Sequence, residues 1–587
     1  MGQKVSHHRR NRFQSTTASA LVITLAYAGL GIVTPGHAQQ SDSDVADEAQ
    51  RDVIRVIGEK IDRSYQQSFT SVGLLTSEEI KNSTISDTND AFDFMANVRS
   101  FASRNGNNGF MIRGVNADGI TQPANSAALI SVNIDGVSQS AEGLKRGSRG
   151  IWDAEQIEVL RGPQSTLQGR NALAGAVVIK TKDPTWTPEL SVRGIFGELD
   201  RREAAVAASG PIIDDVLAVR ISSEYRRKTT DISLTDPANQ PLIEDKFSNV
   251  RGKVLYQPHF SDDLTILLTV NHTTDFPTSA PVSGPNFFDR VFTRPSSSVE
   301  LRDMEVTNYS ANISYDISDG ITLRSISAFN DTELSIKSAP SSTDFVRSDT
   351  REDGDFTQEV RLEISEPIAG LTGVAGLFYG SFSQEIDTSI LIGGLPYQVG
   401  TFENDVESLA AYIDLRYSLL ENLSIIFGGR FQHDDVGNGR NIISIVGNSN
   451  SRQESGFDVF LPKAGVSYDI TPNQTIAATL NRGYRQGFVE VEAGAPTILN
   501  PVDPEFMLAY ELAYRASGFN DRLTFGTNVF YNDYTDQQIA VFHPTLRPLS
   551  NTRNAIGSSS YGAEIEARFN VGNGLRVFGA LGVLETK

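Results

Sequence analysis

The sequence contains no cysteine and only seven histidines, and both shortages narrow the chemistry available to it. Without cysteine there is no disulfide, no thiol catalysis and no cysteine-ligated metal. Three histidines lie within the first 38 residues, and the other four show no ligand spacing such as HxxxH. Ser165 is not part of a GxSxG elbow, and no sequence-local pair of carboxylates marks a glycosidase or protease. The sequence therefore does not indicate an enzyme.

Long apolar runs and an excess of basic residues are also missing. Beyond residue 38, no segment approaches the roughly 18–20 apolar residues that a membrane-spanning helix needs. The formal net charge is −21 at pH 7, whereas a surface that binds phosphate backbones would be basic. The charge therefore argues against nucleic acid as a partner.

The N-terminus has the pattern of a secretory signal. Basic residues including Lys4 and Arg12 precede a short apolar run, Leu21–Tyr27, and the small residues Gly36 and Ala38 stand where cleavage is expected. An N-terminal membrane anchor is the alternative, but the run is too short and too interrupted for it. We predict a signal peptide over residues 1–38. A periplasmic tether should follow over residues 39–68, and its first part, Gln39–Gln50, is polar and acidic as flexible segments are.

The most informative stretch is Gly150–Pro184. A short strand, Ile157–Leu160, ends at the turn Arg161-Gly162-Pro163, and a second strand follows at Ala176–Lys182. Small residues between them allow close backbone packing, and no Gly-Lys-Ser/Thr follows them as a phosphate-binding loop would require. The stretch resembles the signature of the plug domain of TonB-dependent outer-membrane receptors.

Two further motifs lie upstream in the order that this family shows. Phe110–Val115, FMIRGV, resembles its IRG element, and Val132–Val137, VNIDGV, resembles its DGV strand. Three ordered motifs within about 75 residues make the resemblance specific. It implies a small α/β plug domain over residues 69–185, held inside the lumen of a barrel.

From residue 186 onward the pattern changes to short segments of period two, which suit a wall with lipid on one face and water on the other. A β-sandwich could alternate in the same way, so loop lengths are the stronger argument. Tight turns, such as Ser318-Asp319-Gly320 and Leu420-Glu421-Asn422, alternate with long polar excursions, such as 274–300, 331–354, 387–404 and 435–454. Short turns on one side and long loops on the other predict an antiparallel transmembrane β-barrel over residues 186–587.

The resemblance implies a barrel of the 22-strand class, of which we count about 17 strands. We expect the barrel to be incomplete at its C-terminus, with about five further strands downstream, since bacterial barrels have even strand numbers. We also expect residues 1–587 expressed alone not to form a heat-modifiable, inserted barrel. A miscount by one strand is the alternative.

A short extended segment follows the acidic part of the tether. It resembles the family's TonB box, through which an inner-membrane energy transducer grips the receptor by adding a strand to its own sheet. The alternative is that the segment forms the first strand of the plug. The residues are Asp52, Val53, Ile54, Arg55, Val56 and Ile57.

Two plug arginines are candidate latch residues by the same resemblance. In the family, plug arginines contact barrel glutamates inside the lumen, which implies this role for Arg113 and Arg161. We expect Glu359 and Glu511 to be their partners. A buried guanidinium needs a carboxylate, because breaking such a pair leaves an uncompensated charge. Alternatively, either glutamate faces water and pairs with nothing.

The implied function is TonB-dependent active import of a scarce solute, most of all a ferric siderophore, across the bacterial outer membrane. Cobalamin or a saccharide would be alternative cargo; a passive porin or a receptor that only binds would be alternative functions. The expected partners are a TonB-type inner-membrane energy transducer, the chelated iron or other small solute, and outer-membrane lipid. No cofactor is expected, and metal should enter only as chelated cargo. The ligand-contact residues cannot be named from the sequence.

Overall fold

The computed structural model describes residues 55–61, 63–83, 85–102, 108–117, 127–140, 150–279, 288–293, 299–368, 370–445, 447–491, 498–542, 550–572 and 574–587. The predicted signal peptide, the acidic part of the predicted tether, and Asp52, Val53 and Ile54 lie outside these residues.

The N-terminal part of the described chain, from Arg55 to Thr181, forms a small α/β unit. Its main sheet has the strand order β3-β9-β10-β7-β8, and two smaller sheets consist of the pair β1-β2 and the three strands β4-β5-β6. The strands are β1 (Arg55–Val56), β2 (Arg63–Ser64), β3 (Ser71–Thr76), β4 (Val98–Ala102), β5 (Asn108–Ile112), β6 (Val115–Asn116), β7 (Ile130–Ile134), β8 (Val137–Ser138), β9 (Ala154–Arg161) and β10 (Gly175–Thr181). The helices are α1 (Ser77–Lys81), α2 (Thr88–Phe92) and α3 (Ser165–Gln168), with a 3-10 turn at Tyr65–Gln67.

Local sequence explains the short helices. Thr76 and Glu79 form a capping box at the start of α1, in which each side chain accepts a bond from the other residue's backbone. Asp87 caps α2 by accepting bonds from the amides of Asn89 and Asp90. The apolar faces of both helices pack with the strands in one core, which includes Ile80, Phe92, Phe110, Ile130, Ile157 and Val177.

Part of the predicted tether belongs to this unit. Arg55 and Val56 pair with Ser64 and Arg63, and Val56 is fully buried against Val72 and Leu160. The predicted tether range of 39–68 is therefore wrong in its second half, because the apolar β1 residue is more stable in the plug core than in water.

The rest of the described chain, from Glu189 to Thr586, forms one antiparallel sheet of 17 strands. They are, in order, β11 (Glu189–Gly197), β12 (Arg201–Ile213), β13 (Leu217–Thr229), β15 (Glu244–Tyr256), β16 (Leu264–Phe276), β18 (Glu300–Ser318), β19 (Ile321–Ser338), β20 (Phe345–Ile368), β21 (Leu371–Ile392), β22 (Leu395–Leu420), β23 (Leu423–Ser444), β24 (Gly447–Thr471), β25 (Gln474–Arg485), β28 (Glu505–Gly518), β29 (Leu523–Phe542), β30 (Ser550–Gly572) and β31 (Leu575–Thr586). Loop strands β14 (Ser233–Leu234) and β17 (Val291–Phe292) pair in parallel, β26 (Phe488–Val491) and β27 (Leu499–Val502) pair antiparallel, and a 3-10 turn spans Pro237–Ile243. The predicted fold class and the count of about 17 strands are confirmed.

Burial alternates along these strands as a barrel wall requires. On β12, Ala205 and Ala207 are buried, while Val206 between them is 42% exposed. Large apolar residues such as Leu409, Phe431 and Val529 are likewise exposed on the outer face. In a soluble protein such a surface would be costly, so this face suits lipid.

Two rows of outward-facing residues run across neighbouring strands. Tyr309, Phe329 and Phe356 stand directly opposite one another on β18–β20, as in the aromatic girdle of an outer-membrane barrel. Four residues further along these strands lies a row of five glutamates, each directly opposite the next, which we call the glutamate row: Glu305, Glu333, Glu352, Glu385 and Glu403. Both rows are exposed.

The tight turns occur where predicted, including those between β18 and β19, β22 and β23, and β24 and β25. Three of the predicted long loops are instead hairpins. Residues 387–404 and 435–454 are almost entirely strand, and 331–354 is strand except near its middle. The prediction failed because a polar segment that extends above the membrane can form a paired β-hairpin as readily as a hydrated loop. At the tip of β21–β22, Gly393 and Gly394 adopt positive φ (+58° and +77°), as a two-residue hairpin turn requires.

Candidate functional site: the plug–barrel contacts

Arg113 lies at a sharp turn between β5 and β6. Its φ is +48°, followed by Gly114 at +79°, and its amide donates to the carbonyl of Asn97 over 2.8 Å. This turn directs the side chain at the barrel wall, where it is 2% exposed. Its Nε and Nη2 each donate to one carboxylate oxygen of Glu564 over 2.8 Å, and Nη2 also donates to Glu511 over 3.1 Å.

Arg161 ends β9 and lies beside Arg113. Its Nη1 donates to Glu566 over 2.8 Å and to the carbonyl of Ala96 over 2.7 Å. Its Nε donates to Ser71 Oγ over 2.9 Å, and that hydroxyl donates to Glu564 over 2.6 Å. Ser71 thus links the two arginine sites through one shared carboxylate.

The glycine after Arg161 is required by this geometry. Gly162 has φ +82°, and a Cβ there would lie 3.0 Å from Arg113 Nη1. A side chain would therefore be strained in itself and would also crowd the guanidinium. The Arg161-Gly162-Pro163 turn therefore reverses the chain and also leaves room for the Arg113 guanidinium.

The structure brings Arg113 and Glu511 together, but it places Glu359 elsewhere. Glu359 contacts Lys60 of the plug and Arg361 of its own strand. The expected pairing of Glu359 with a plug arginine is therefore wrong: seven strands separate β20 from β30 in the sheet, so Glu359 faces another side of the plug.

Glu564 and Glu566 were missed by sequence reasoning. The sequence did contain a signal for them. Both residues flank Ile565, which faces outward, so both must point into the barrel. Two carboxylates at successive inward positions of a barrel strand are candidates for pairing with buried cations.

The ion cluster is buried, and its energetics follow from this burial. Burial alone would lower the pKa of Arg113, but Glu564 and Glu511 outweigh burial and raise the pKa above its usual value. Removing one partner from a buried pair typically costs about 3–5 kcal/mol, because the other charge stays buried and unpaired. We call Arg113, Arg161, Glu511, Glu564 and Glu566 the arginine cluster.

The described part of the TonB-box-like segment is bound into the plug. The amides of Ile57 and Gly58 donate to the two carboxylate oxygens of Glu158, each over 2.8 Å. Gln168 Nε2 donates to the carbonyl of Gly58 over 2.7 Å. Glu158 is fully buried, and burial raises its pKa to about 7 although these amides act to lower it.

Lys60 and Ile61 extend these contacts to the barrel. Lys60 forms an ion pair with Glu359, and its Nζ lies 4.9 Å from the centre of the Tyr412 ring. Burial lowers the pKa of Lys60 to about 8, against the opposing effect of Glu359. Ile61 packs with Leu167 of the plug and Val374 of the wall.

Comparison with known proteins agrees with this architecture. A family model for the TonB-dependent receptor plug domain matches residues 64–176, and one for the TonB-dependent receptor-like β-barrel matches residues 245–584. The chain belongs to the TonB-dependent receptor family. The receptor is accordingly an outer-membrane protein, and its family comprises transport receptors.

Relatives of the receptor are known. It is 24% identical over 448 residues to the pesticin receptor of Yersinia enterocolitica, covering 76% of this chain and 65% of that one. A 124-residue part is 29% identical to the ferrioxamine B receptor of Salmonella typhimurium, covering 21% and 17% of the two chains. The receptor thus spans just under two thirds of the pesticin receptor's length.

Solved structures share the fold. The ferric yersiniabactin uptake receptor of Yersinia pestis superposes with a TM-score of 0.78 at 21% identity, over 88% of this chain and 79% of that chain. The alcaligin outer-membrane receptor of Bordetella pertussis gives a TM-score of 0.67 at 17% identity, over 91% and 83%. In the described residues of the receptor, every helix is too short or too polar to span a bilayer.

Proposed function

We propose that the receptor imports a ferric-siderophore complex across the outer membrane, driven by a TonB-type inner-membrane partner. The observation that carries the proposal is the binding of residues 57–61 to both the plug and the barrel. A partner that pulls on the chain just before Ile57 would act on these contacts first. The names of the relatives, which are receptors for ferric yersiniabactin, ferrioxamine B and alcaligin, support a chelated-iron cargo.

Asp52–Ile57 is proposed as the segment that the partner binds. Arg55 and Val56 already lie in an extended β-conformation, which a strand-adding partner can pair with once they leave β2. The segment would thus serve alternately as the first strand of the plug and as the partner's added strand. The segment would then fulfil both roles that the sequence suggested, the TonB box and the first strand of the plug.

The arginine cluster is proposed to hold the plug in the wall during this cycle. Five charged side chains there are paired with one another and buried. We propose no resident cofactor: iron is carried as its chelate, and outer-membrane lipid is the surrounding solvent of the barrel.

Uptake measurements test the proposal. Cells that depend on the receptor should accumulate ⁵⁵Fe from at least one of ferric yersiniabactin, ferric alcaligin and ferrioxamine B, and a protonophore should stop accumulation without stopping surface binding. Uptake that survives the protonophore would indicate a passive channel. Growth on cobalamin or a saccharide instead of an iron chelate would indicate other cargo.

A further inference from the structure

The tip of the β21–β22 hairpin carries no charged residue over positions 389–400. Phe345 of β20 stands directly opposite Ile392, and Ile392 stands directly opposite Leu395. All three face inward, because Phe345 lies an even number of residues from Glu359 on the same strand and Glu359 contacts the plug. Ile392 is 44% exposed and Leu395 is 72% exposed. The mouth of the barrel therefore presents an accessible apolar surface on this side.

An aromatic ring and a guanidinium group face each other nearer the membrane. Phe402 of β22 stands directly opposite Arg440 of β23, and the guanidinium carbon lies 5.7 Å from the centre of the ring. Arg440 Nη1 donates to the carbonyl of Val491 over 3.4 Å. That carbonyl belongs to β26, which lies inside the barrel, since its Phe488 packs with the inward-facing Val406. The Phe402–Arg440 pair therefore also faces the lumen.

Arg440 differs from the ion-paired arginines of the wall. Arg347, on the inner face of β20, is bound by Glu300 and Asp349. Among the described residues, Arg440 has no carboxylate within ion-pair distance, and its Nε has no acceptor. Glu490 of β26 is instead bound by amide groups from β27 and β30, over 2.7 and 2.6 Å. The charge of Arg440 is therefore available to an anion at the mouth.

The acidic residues of the glutamate row on these hairpins point the other way. Glu385 and Glu403 stand opposite each other on the outer face, and Glu403 directly follows Phe402 in the chain. Successive residues of a strand face opposite sides, so this wall is acidic outside and apolar with an unpaired cation inside. A ligand that complements the inner face has an apolar or aromatic surface and negative charge.

Ferric chelates differ in these two properties. Catecholates and phenolates bind iron through oxygen atoms on aromatic rings, and a ferric tris-catecholate is a multiply charged anion. Hydroxamates bind iron through groups without rings, and a ferric tris-hydroxamate core is neutral. An aromatic chelate can stack on Phe402 while its oxyanions accept hydrogen bonds from Arg440. The inner face therefore complements the aromatic class better than the hydroxamate class.

We propose that the receptor selects ferric chelates whose iron-binding groups are aromatic oxyanions, the catecholates and phenolates, over ferric hydroxamates, and that Phe402 and Arg440 make this selection. The inference deepens the proposed import function and rests on it for its cargo. Selection is a property of binding, so it can be measured separately from transport.

Binding to the purified receptor in lipid nanodiscs tests the selection. Two ⁵⁵Fe-labelled probes are used, a synthetic ferric tris-catecholate and ferrioxamine B, which is a tris-hydroxamate, and the label retained with the receptor on a filter is counted. We expect the tris-catecholate to bind at least tenfold more tightly, because only its oxyanions complement an unpaired guanidinium. Equal or tighter binding of ferrioxamine B, or no binding of the tris-catecholate, would overturn the proposal.

Variants of the pair test the two residues. Arg440→Gln should weaken tris-catecholate binding at least tenfold and leave the weaker ferrioxamine B binding unchanged, whereas Arg440→Lys should keep part of the affinity. Phe402→Leu keeps an apolar side chain but removes the ring, and should weaken tris-catecholate binding about threefold. If Arg440→Gln weakens the binding of both chelates equally, Arg440 has a structural role and does not select.

The outer face of the same hairpins provides matched controls. Arg452 of β24 stands opposite the residue that precedes Arg440, but it faces outward and is paired with Asp405. Arg452→Gln should therefore leave tris-catecholate binding unchanged. Ile392→Ser, on the inner face, should weaken this binding, whereas Ile443→Ser, on the outer face and 57% exposed, should not. Equal losses from the inner-face and outer-face variants would contradict the assignment to the inner face.

Uptake of ⁵⁵Fe separates this inference from import itself. Energised uptake of the tris-catecholate that is lost in Arg440→Gln would support both. Selective binding of the tris-catecholate without energised uptake would support the selection and contradict the proposed import. Uptake of ferrioxamine B alone would support import and overturn the selection.

Discussion

Arg113 and Glu564, 451 positions apart in the chain, form a two-pronged ion pair in which both carboxylate oxygens are bound over 2.8 Å. Glu564 also accepts from Ser71 and lies 3.5 Å from Arg161 Nε. One barrel carboxylate therefore serves both plug arginines, whereas Glu511 contacts Arg113 at a single oxygen.

Loss of Glu564 should loosen the plug more than loss of Glu511. We expect Glu564→Ala to destabilise the docked plug by about 3–5 kcal/mol, since it leaves two buried guanidinium groups short of a partner. Ion leakage in planar bilayers and whole-cell sensitivity to vancomycin would measure this. Glu78→Gln, at an exposed pair, is the matched control and should change neither. Equal leakage of the wild type and an Arg113→Ala/Arg161→Ala variant would show that the arginines do not hold the plug.

Deleting Asp52–Ile57 should separate binding from transport. We expect surface binding of ⁵⁵Fe-chelate to stay at the wild-type level and energised uptake to be lost, because the loops and the arginine cluster are untouched. A filtration assay with and without a protonophore measures both quantities. Normal uptake by the deletion variant would remove this segment from energy coupling.

Residues 57–61, which close onto Glu158 through the amides of Ile57 and Gly58, should be held less firmly as pH rises. Glu158 has a pKa of about 7 in the plug against an ordinary 4.5, so between these values the closed state binds a proton that the released state has lost. Closure is therefore favoured below about pH 4.5 and weakens as pH rises toward 7. Hydrogen-exchange protection of the Ile57 and Gly58 amides should fall from pH 5 to pH 8. In Glu158→Gln this fall should vanish; if it persists, another group is responsible.

The glutamate row should cost stability that salt can restore. Opposed like charges on neighbouring strands disfavour a sheet by about 0.2–1 kcal/mol per pair, and Glu352 faces both Glu333 and Glu385. We expect Glu352→Gln to raise the thermal midpoint of the barrel in low salt, with a smaller gain in 0.5 M NaCl. Glu454→Gln is the control, since Glu454 stands opposite Gly437 and beside Arg452. A lower midpoint for Glu352→Gln would contradict this.

The sequence was sufficient to predict the fold and the two plug arginines of the arginine cluster. The ordered plug motifs located Arg113 and Arg161, because local turn chemistry sets both positions. Of their partners, Glu511 was predicted but Glu564 and Glu566 were not, since the side of the plug that a barrel strand faces depends on its place in the sheet. Glu359 illustrates this: its inward orientation was predictable, but its pairing with Lys60 was not.

The boundaries of the hairpins were harder for a different reason. Residues 387–404 and 435–454 are polar, and polarity marks where the lipid ends but not where backbone pairing ends. Cross-strand hydrogen bonds continue past that level in β21–β24. The role of Arg55–Ile57 stayed open for a different reason, since the β-propensity of Val56 and Ile57 suits a partner's sheet and the plug equally well.

The long hairpins determine what reaches the receptor from outside. β22 runs for 26 residues, about 85 Å if extended, whereas the apolar band of such barrels is about 25 Å tall. Much of this strand therefore stands in the external medium with its hydrogen-bond ladder intact. An antibody or a bacteriophage approaching this part of the cell surface meets paired strands joined by a tight turn at Gly393 and Gly394, and not a long loop. Antisera raised against denatured protein would accordingly recognise it poorly on living cells.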